Sequence, residues 1–429
     1  MMSQRFITAL IVFAFSAISG CAEFSGPDLK HSLVHDQEKL ILVNFHSDKS
    51  LNALETAQDY TYSRQKWQRP NHVNRLMQQV ERDYLLTEVD EWPIESLELY
   101  CVVYVIDSNE PVENVLEKIN LDTRVAFAEP LVNFQLLQSE IGGRPTTQST
   151  SKQIVLSDPL LDIQHPDAYL LLEKLHGLTK GNDVRVGIVD SGIDTNHPDL
   201  TGQIHNKQSF INSGMSQSLE HGTAVAGIIG AAAGNQEGIT GLVPDAELYS
   251  YEACGVLNNA TFCDSFTLAK ALEHALQDKI QVLNLSLAGR ETPLLRALID
   301  KILASGTILI AAENNDPKSN FPADVDGVIA VGLDMASELW FANQEQLSTQ
   351  AGGGYRFFYG TSMSAAGVTG FSTIMLSIYQ PQQVVTILKS LPVNDCGDVL
   401  SQITFDAREA MSYLCSHDIK VFHTGSYQF

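Results

Sequence analysis

Short apolar segments alternate with helical ones along the second half of this 429-residue chain. From Asp158 onward, runs rich in Val, Ile and Leu are separated by longer segments with the apolar spacing of helices. Strands that are apolar along their whole length are typical of parallel sheets with both faces covered. The sequence therefore predicts an α/β fold with a mostly parallel sheet and helices on both faces. The predicted strands are 184–189, 247–251, 282–286, 307–311 and 328–332, and the predicted helices are 221–233, 266–277, 293–304 and 365–379.

A smaller region precedes this fold. Residues 39–138 read as a strand, a helix, a strand, a helix and two strand-like runs, which predicts a small α+β domain. Residues 139–157 are rich in Gly, Pro, Ser, Thr and Gln and predict a flexible linker. The main fold then covers 158–385, and residues 386–429 form a C-terminal extension.

The first twenty residues have the features of an export signal. Arg5 supplies a positive charge, and residues 6–18 form an apolar run that is short for a membrane span. The run ends in Ile18-Ser19-Gly20-Cys21, which resembles a bacterial lipobox. This resemblance implies a lipoprotein signal peptide at 1–20, a lipid-modified Cys21, a tether at 21–38 and anchoring to the outer membrane or cell surface. An ordinary signal peptide that contains a cysteine is the alternative.

The charge balance argues against one class of partner. The chain has 51 Asp and Glu residues against 27 Lys and Arg residues, which gives a net charge of −24. Nucleic-acid binding needs a basic surface that replaces phosphate counterions. The composition therefore predicts no nucleic-acid partner and fits an exported enzyme.

Three motifs carry candidate catalytic residues. Ser362, in Gly360-Thr361-Ser362-Met363-Ser364, stands at the first turn of a predicted helix, where unpaired backbone N–H groups favour negative charge. Asp190 directly follows an apolar strand, and His221 opens a helix whose next residues are small. Each residue alone also has an ordinary structural explanation, as a turn residue or as part of a helix cap.

Together, the three motifs resemble the subtilisin-like serine peptidases, or subtilases, which have the chain order Asp, His, Ser. The resemblance covers residues 158–385. It implies that His221 removes the proton of Ser362, and that Asp190 orients and stabilises the imidazole. An α/β-hydrolase fits less well, because Ser364 stands where its nucleophile motif has glycine.

The same resemblance assigns residues that bind the substrate. It places Asn314 as the side-chain donor to the oxyanion. Glu313 departs from the glycine expected in one wall of the pocket for the residue before the cut bond, where a carboxylate favours a basic side chain or narrows the pocket. The run Ser286, Leu287, Ala288 and Gly289 resembles the strand that pairs with the substrate backbone in subtilases.

Residues 39–138 resemble the propeptides of subtilases. This resemblance implies a ferredoxin-like prodomain that assists folding, blocks the active site with its C-terminal strand and is removed by self-cleavage within 139–157. An unrelated accessory domain is the alternative. The predicted chemistry requires no cofactor, and the residue spacings predict no metal site. Calcium supports many subtilases, but no calcium-binding loop can be recognised in this sequence.

Five cysteines remain when Cys21 is set aside. Their proximity in sequence predicts the disulfides Cys254–Cys263 and Cys396–Cys415 in an oxidising compartment. Cys101, in an apolar run, is then predicted to be a buried thiol. Residues 352–354 are three glycines, and they predict a mobile loop rather than a phosphate site, because no Lys-Ser/Thr follows.

The sequence thus predicts an exported, lipid-anchored serine endopeptidase that is made as a self-processing precursor. Its expected partners are a polypeptide substrate and its own prodomain. A catalytically inactive subtilase-fold lipoprotein that binds a peptide or protein partner is the alternative, suggested by Glu313 and the shortened loop before Ser362.

Overall fold

The computed structural model of the protein describes residues 37–47, 69–137, 158–164, 169–212, 215–257, 260–332, 339–340 and 345–390. The predicted signal peptide, Cys21, the linker at 139–157 and the Cys396–Cys415 pair lie outside the described residues. Within the described ranges, no helix is both long enough and apolar enough to cross a membrane.

The small domain, residues 37–130, is a four-stranded antiparallel sheet with two helices, and its sheet order is β2-β3-β1-β4. The chain order β1-α1-β2-β3-α2-β4 together with this sheet order is the predicted ferredoxin-like arrangement. A fifth strand follows the domain but lies outside its sheet. The elements are β1 Leu40–His46, α1 Asn71–Tyr84, β2 Leu86–Ile94, β3 Leu99–Ile106, α2 Val112–Asn120, β4 Phe127–Pro130 and β5 Asn133–Leu136.

Both faces of the small-domain sheet are covered. Successive strand residues point to opposite faces, so Ile41 and Val43 pack beneath α1 and α2, whereas Leu42 and Val103 pack against the rest of the molecule. Every residue of β3 is therefore buried. Cys101 lies on the second face as a buried free thiol, as predicted.

The large domain, residues 158–390, is built on seven parallel strands in the order β16-β15-β14-β12-β6-β9-β7. Its strands are β6 Arg185–Asp190, β7 Ile204–Ser209, β8 Ser216–Gln217, β9 Glu247–Glu252, β10 Cys254–Leu257, β11 Ala260–Asp264, β12 Val282–Leu285, β13 Leu287–Gly289, β14 Ile308–Ala312, β15 Ile329–Gly332, β16 Leu339–Trp340, β17 Gln346–Gln350 and β18 Gly354–Phe358. Its helices are α3 Leu161–Gln164, α4 Tyr169–Leu178, α5 Glu220–Gly230, α6 Ser265–Gln277, α7 Pro293–Ala304, α8 Thr361–Leu376 and α9 Pro381–Ser390.

Helices cover both faces of the parallel sheet. The small apolar residues of α5 and α8 share one core cluster with Val186 and Ile310 of the sheet. The apolar residues of α6 and α7 share a second cluster with Leu283 and Leu309, and this cluster also contains the inner face of the small-domain sheet. The structure therefore confirms the predicted α/β fold with a mostly parallel sheet and helices on both faces.

A second sheet of the large domain includes β5 as one of its strands. Its order is β13-β5-β11-β10-β8, so β5 lies between two strands of the large domain and is antiparallel to both. The hairpin β10–β11 carries the disulfide Cys254–Cys263, as predicted.

The structure also contains elements that the sequence did not predict. The acidic strand β2 and the polar edge strand β7 were not predicted. Residues 352–354, predicted as a loop, form the turn and the first β18 residue of the hairpin β17–β18, with Gly352 and Gly353 at φ +91° and +89°, a conformation that favours glycine. Helix α9 continues past residue 385, where the sequence predicted the domain to end, and Leu388 packs into the core.

Candidate active site

Asp190 is the last residue of β6, at the carboxyl end of the parallel sheet. Ligands and reacting groups in open α/β sheets collect at this edge. The Asp190 carboxylate is fully buried, and its Oδ1 accepts a hydrogen bond from the Ser191 backbone N–H at 2.6 Å. Its place at the end of β6 and this hydrogen bond therefore fix the orientation of the carboxylate.

His221, the second residue of α5, reaches this carboxylate. Its Nδ1 lies 2.7 Å from Asp190 Oδ1, and both side chains are buried. Gly222 makes the approach feasible, because a Cβ at this position would lie 2.5 Å from Ser191 O. The small residue after the histidine therefore allows the helix to pack directly against the turn that follows β6.

Ser362 is the second residue of α8 and is fully buried. Gly360 precedes the helix with φ 138°, a value that glycine tolerates best. Because the first backbone N–H groups of a helix have no partner within the helix, the Ser362 N–H is available to an acceptor outside it. That acceptor is Leu137 O, at 3.3 Å.

Leu137, the residue after β5, occupies the site. Besides the backbone contact, Ser362 Oγ donates to Leu137 O at 2.7 Å, and the Leu137 N–H donates to Ser286 O at 3.3 Å. The peptide carbonyl of the chain itself thus lies against both the hydroxyl and the N–H of Ser362. This is where the carbonyl of a bond to be cut would need to lie.

The predicted substrate-binding strand pairs with this same segment. Strand β13 contains three of the four predicted residues, and its register with β5 is Leu287 opposite Leu136, Ala288 opposite Gln135 and Gly289 opposite Phe134. Gly289 lies so close to the Phe134 ring that a Cβ there would be 2.4 Å from a ring carbon. Strand β11 closes the other side of β5.

Asp190 and His221, two of the predicted triad residues, are hydrogen-bonded to each other, whereas the hydroxyl of Ser362, the third, has other acceptors. Ser362 Oγ has Leu137 O and Ser286 O (3.1 Å) as acceptors. Among the described residues, the buried His221 Nε2 has no hydrogen-bond partner. The hydrogen bonds therefore show the Asp190–His221 pair, and the transfer of the Ser362 proton to His221 stays a prediction.

The predicted oxyanion donor is engaged elsewhere. Asn314 follows β14 at the carboxyl edge of the sheet, but its Nδ2 donates to Ser319 O at 3.2 Å rather than to Leu137 O. Its backbone N–H donates to Asn320 Oδ1 at 2.7 Å. Glu313, the residue before it, is half-buried, and its backbone N–H donates to Val331 O at 2.8 Å. The role of Asn314 stays a prediction.

Sequence reasoning missed the part that Leu137 plays. It anticipated a blocking strand but expected the cut within 139–157, in residues that the structure does not describe. The local signal was present, because Leu137 is the last residue of the strand-like run 131–137, just before the polar linker. Nothing in that run specifies which of its carbonyl groups contacts Ser362.

The fold and these contacts define a hydrolase-type site on a parallel sheet, and comparison with known proteins identifies its family. A family model described as the subtilase family matches residues 181–339, which include Asp190 and His221. Subtilisin DY of Bacillus licheniformis is 34% identical over 223 residues, which are 47% of this chain and 79% of that protein. Subtilisin E of Bacillus subtilis is 31% identical over 220 residues, which are 46% of this chain and 56% of that protein. The chain therefore belongs to the subtilase family of serine peptidases.

A solved structure gives the same result for the fold. Fervidolysin of Fervidobacterium pennivorans, described as a keratinolytic enzyme related to subtilisin, superposes with a TM-score of 0.62. The superposition covers 84% of this chain and 58% of that one, at 19% sequence identity. Since the identity is low, this likeness supports the fold and not a shared substrate.

Proposed function

We propose that the chain is the precursor of an exported serine endopeptidase that cleaves its own Leu137–Gln138 bond. One observation carries the proposal: the Leu137 carbonyl oxygen accepts hydrogen bonds from both the backbone N–H and the hydroxyl of Ser362. The pairing of β5 with β13 and β11 supports it, because strand addition is a common way to present an extended peptide.

The reaction follows from these contacts. Ser362 Oγ attacks the Leu137 carbonyl carbon while its proton passes to His221 Nε2, and Asp190 stabilises the resulting imidazolium. The Ser362 N–H stabilises the developing oxyanion, and Asn314 joins it once its amide leaves Ser319 O. The amine of Gln138 departs with the proton from His221, and water then hydrolyses the ester. The scheme uses only side chains, backbone groups and water.

The cut at Leu137–Gln138 lies just before the region in which the sequence predicted processing. The small domain and β5 then end in a free carboxylate at Leu137, which remains in the cleft as a bound product. The small domain thus serves as the prodomain and inhibits the enzyme until it dissociates.

The substrates of the mature enzyme are extended polypeptides that take the place of β5. Backbone pairing contributes affinity but does not distinguish side chains. Sequence specificity therefore depends on the residue before the cut bond and on the residue at the position of Phe134, which is fully buried beside Gly289. Leu137 packs against the core of the large domain. Because an apolar side chain stands before the proposed cut, we expect Leu to be preferred over a basic residue there despite Glu313.

The order of the parts links processing to location. A lipid on Cys21 would anchor the molecule through the small domain, because Cys21 precedes it. Cleavage after Leu137 would then separate the large domain from its anchor. The membrane form is latent, and the released form is active.

The test is to determine the N-termini of the purified protein and of its Ser362→Ala variant. We expect a chain that starts at Gln138 in the wild type, and an uncut precursor in Ser362→Ala. Fractionation of the same cells should place the precursor with membranes and the Gln138 chain in the soluble fraction. A Ser362→Ala chain that is still cut at this bond, or a folded wild type that does not react with a fluorophosphonate after removal of the small domain, would contradict the proposal.

A further inference from the structure

Three buried polar side chains lie directly behind Ser362. Asn284 belongs to β12, the central strand of the parallel sheet, and its neighbours in adjacent strands are Ile188 and Ile310. Asn284 and its two hydrogen-bonding partners are all fully buried. Burying an amide among apolar residues is unfavourable unless its donor and acceptor are both satisfied. Packing alone therefore does not explain why an asparagine lies in the central strand.

The hydrogen bonds of Asn284 join two elements of the active site. Its Nδ2 donates to Thr369 Oγ1 on α8 at 3.0 Å, and its Oδ1 accepts from Ser286 Oγ at 2.8 Å. Ser286 follows β12 directly. The amide thus connects the end of the sheet strand to the helix that carries the nucleophile.

Both connected elements contact the reacting peptide. The Ser286 carbonyl accepts from the Leu137 N–H at 3.3 Å and from Ser362 Oγ at 3.1 Å. Thr369 lies two helical turns after Ser362, on the same side of α8. The distance between the Ser286 carbonyl and Ser362 therefore depends on how β12 packs against α8. Asn284 links the two elements by hydrogen bonds, and Ser286 Oγ also lies 3.4 Å from Ser362 O.

We propose that Asn284, acting through Thr369 and Ser286, is a positioning residue that holds Ser362 in register with the peptide bond to be cut. The inference rests on the proposed function, since it concerns the same reaction. It adds two residues, Asn284 and Thr369, that touch neither substrate nor reacting atoms. A displacement of about 1 Å at a reacting centre costs up to about a hundredfold in rate, which is why such a link affects turnover.

The test compares the Thr369 hydroxyl with a matched hydroxyl on the same helix. Thr373 is equally buried, and its Oγ1 donates to the carbonyl four residues earlier at 2.8 Å, as does that of Thr369. Only Thr369 also accepts from Asn284. Thr369→Val removes the hydroxyl and keeps the shape, Thr369→Ser keeps the hydroxyl, and Thr373→Val is the control.

The measured quantity is the first-order rate at which pulse-labelled precursor loses its small domain. Because β5 is already bound in the precursor, this rate contains no substrate-binding step. We expect Thr369→Val to slow processing at least tenfold, Thr369→Ser to stay within threefold of the wild type, and Thr373→Val to match the wild type. In the matured Thr369→Val enzyme, kcat should fall more than KM rises.

Four results would overturn the inference. Equal processing rates in Thr369→Val and wild type would show that the hydroxyl is irrelevant to the reaction. Equal losses in Thr369→Val and Thr373→Val, or a loss in Thr369→Ser as large as in Thr369→Val, would show that α8 packing is the cause. A wild type that is cut by Ser362 at a bond other than Leu137–Gln138 contradicts the proposed cleavage site alone, and a wild type that is never cut overturns both.

Discussion

Among the residues that the structure describes, those upstream of the large domain contact it at two places, and the two contacts differ in chemistry. In the cleft, β5 is held by strand pairing on both sides and by the hydrogen bonds of the Leu137 carbonyl. These bonds use backbone groups, which every polypeptide offers. The second contact, on α6 and α7, uses side chains that only this small domain supplies.

The helix contact centres on Lys270 of α6, which is 6% exposed. Its Nζ lies 3.1 Å from Asp90 Oδ2 of the small domain and 3.9 Å from the centre of the Phe266 ring. Nearby, Glu273 of α6 accepts hydrogen bonds from the N–H and hydroxyl of Ser96. A buried cation with one carboxylate partner makes a specific contact, because its removal leaves the charge unpaired.

The comparison implies that cleavage and release are separate events. Cutting after Leu137 changes the end of β5 but leaves Lys270 and its partners untouched. The cleft contact decides whether the chain is cut, and the helix contact decides how long the cut small domain remains. Substitutions in the two contacts should therefore affect different steps.

The largest effect is expected in the cleft, from Gly289→Ala. Its Cβ would lie 2.4 Å from the buried Phe134 ring, so Phe134 and the β5 backbone must shift away from β13, which disturbs the position of Leu137 at Ser362. Overpacking of this kind costs about 2–3 kcal/mol, and each factor of ten in rate corresponds to about 1.4 kcal/mol. We expect pulse-labelled precursor to be processed about 30- to 100-fold more slowly.

Two further variants check the cause. Phe134→Ala in the Gly289→Ala chain removes the clash and should recover most of the processing rate. Gly177→Ala is the control, because nothing lies within 4 Å of a Cβ there. An unchanged rate in Gly289→Ala would mean that β5 does not need this register to be cut.

At the helix contact, Asp90→Asn should accelerate release without slowing the cut. The substitution leaves Lys270 buried without its carboxylate partner. Breaking a fully buried ion pair costs about 3–5 kcal/mol. Because Asp90 is partly exposed, we expect docking of the small domain to weaken by about 2 kcal/mol. After processing, peptidase activity should then appear about 30-fold faster. Glu91→Gln is the control, because Glu91 pairs with Arg69 inside the small domain. If Asp90→Asn also slowed the cut, the two contacts would not control separate steps.

The sequence predicted the parts of the fold that depend on local pattern. The strands that became β6, β9, β12, β14 and β15 are buried along almost their whole length and most of their residues are apolar, as a parallel sheet covered on both faces requires. The edge strand β7 and the acidic strand β2 lack that pattern, because each is only partly buried. Their strand conformation depends on neighbours that a local pattern does not reveal.

The candidate site likewise has features that a local pattern predicts and features that depend on tertiary contacts. Asp190, His221 and Ser362 are each marked by the residues beside them, since a strand end, a close helix approach and a helix start require particular neighbours. The Leu137 contact and the Asn284–Thr369 link join segments that are distant along the chain. Distance relations of this kind need the tertiary structure, which is why the sequence alone did not indicate the contact between Leu137 and Ser362.

The smallest effect concerns pH and arises at Glu129 of the small domain. Its Oε2 accepts the Leu294 N–H at 3.1 Å, at the start of α7, yet burial raises the pKa of the carboxyl from 4.5 to about 7. The docked state therefore favours the protonated form. Its contribution to docking is complete below about pH 4.5 and is lost as pH rises through 7.

A histidine opposes this linkage at lower pH. His274 of α6 lies 5.9 Å, ring to ring, from Trp92 of the small domain, and burial lowers the pKa of its imidazole from 6.5 to about 4. Its contribution to docking is therefore lost as pH falls from about 6.5 to 4. Because the two linkages have opposite signs between about pH 4.5 and 6.5, the Glu129 term is best measured above that range.

Between pH 6.5 and 8, the Glu129 linkage should weaken docking by about 1 kcal/mol, because a shift of one pKa unit corresponds to about 1.4 kcal/mol. We expect the cut small domain to dissociate about four- to fivefold faster at pH 8 than at pH 6.5, measured as the separated domain after timed dilution. Glu129→Gln cannot ionise and should remove this difference, while the rate of the cut responds to pH equally in both chains. If the wild type and Glu129→Gln showed the same ratio of dissociation rates at pH 8 and pH 6.5, a group other than Glu129 would cause the pH dependence. The helix contact would then depend on Lys270 and its partners alone.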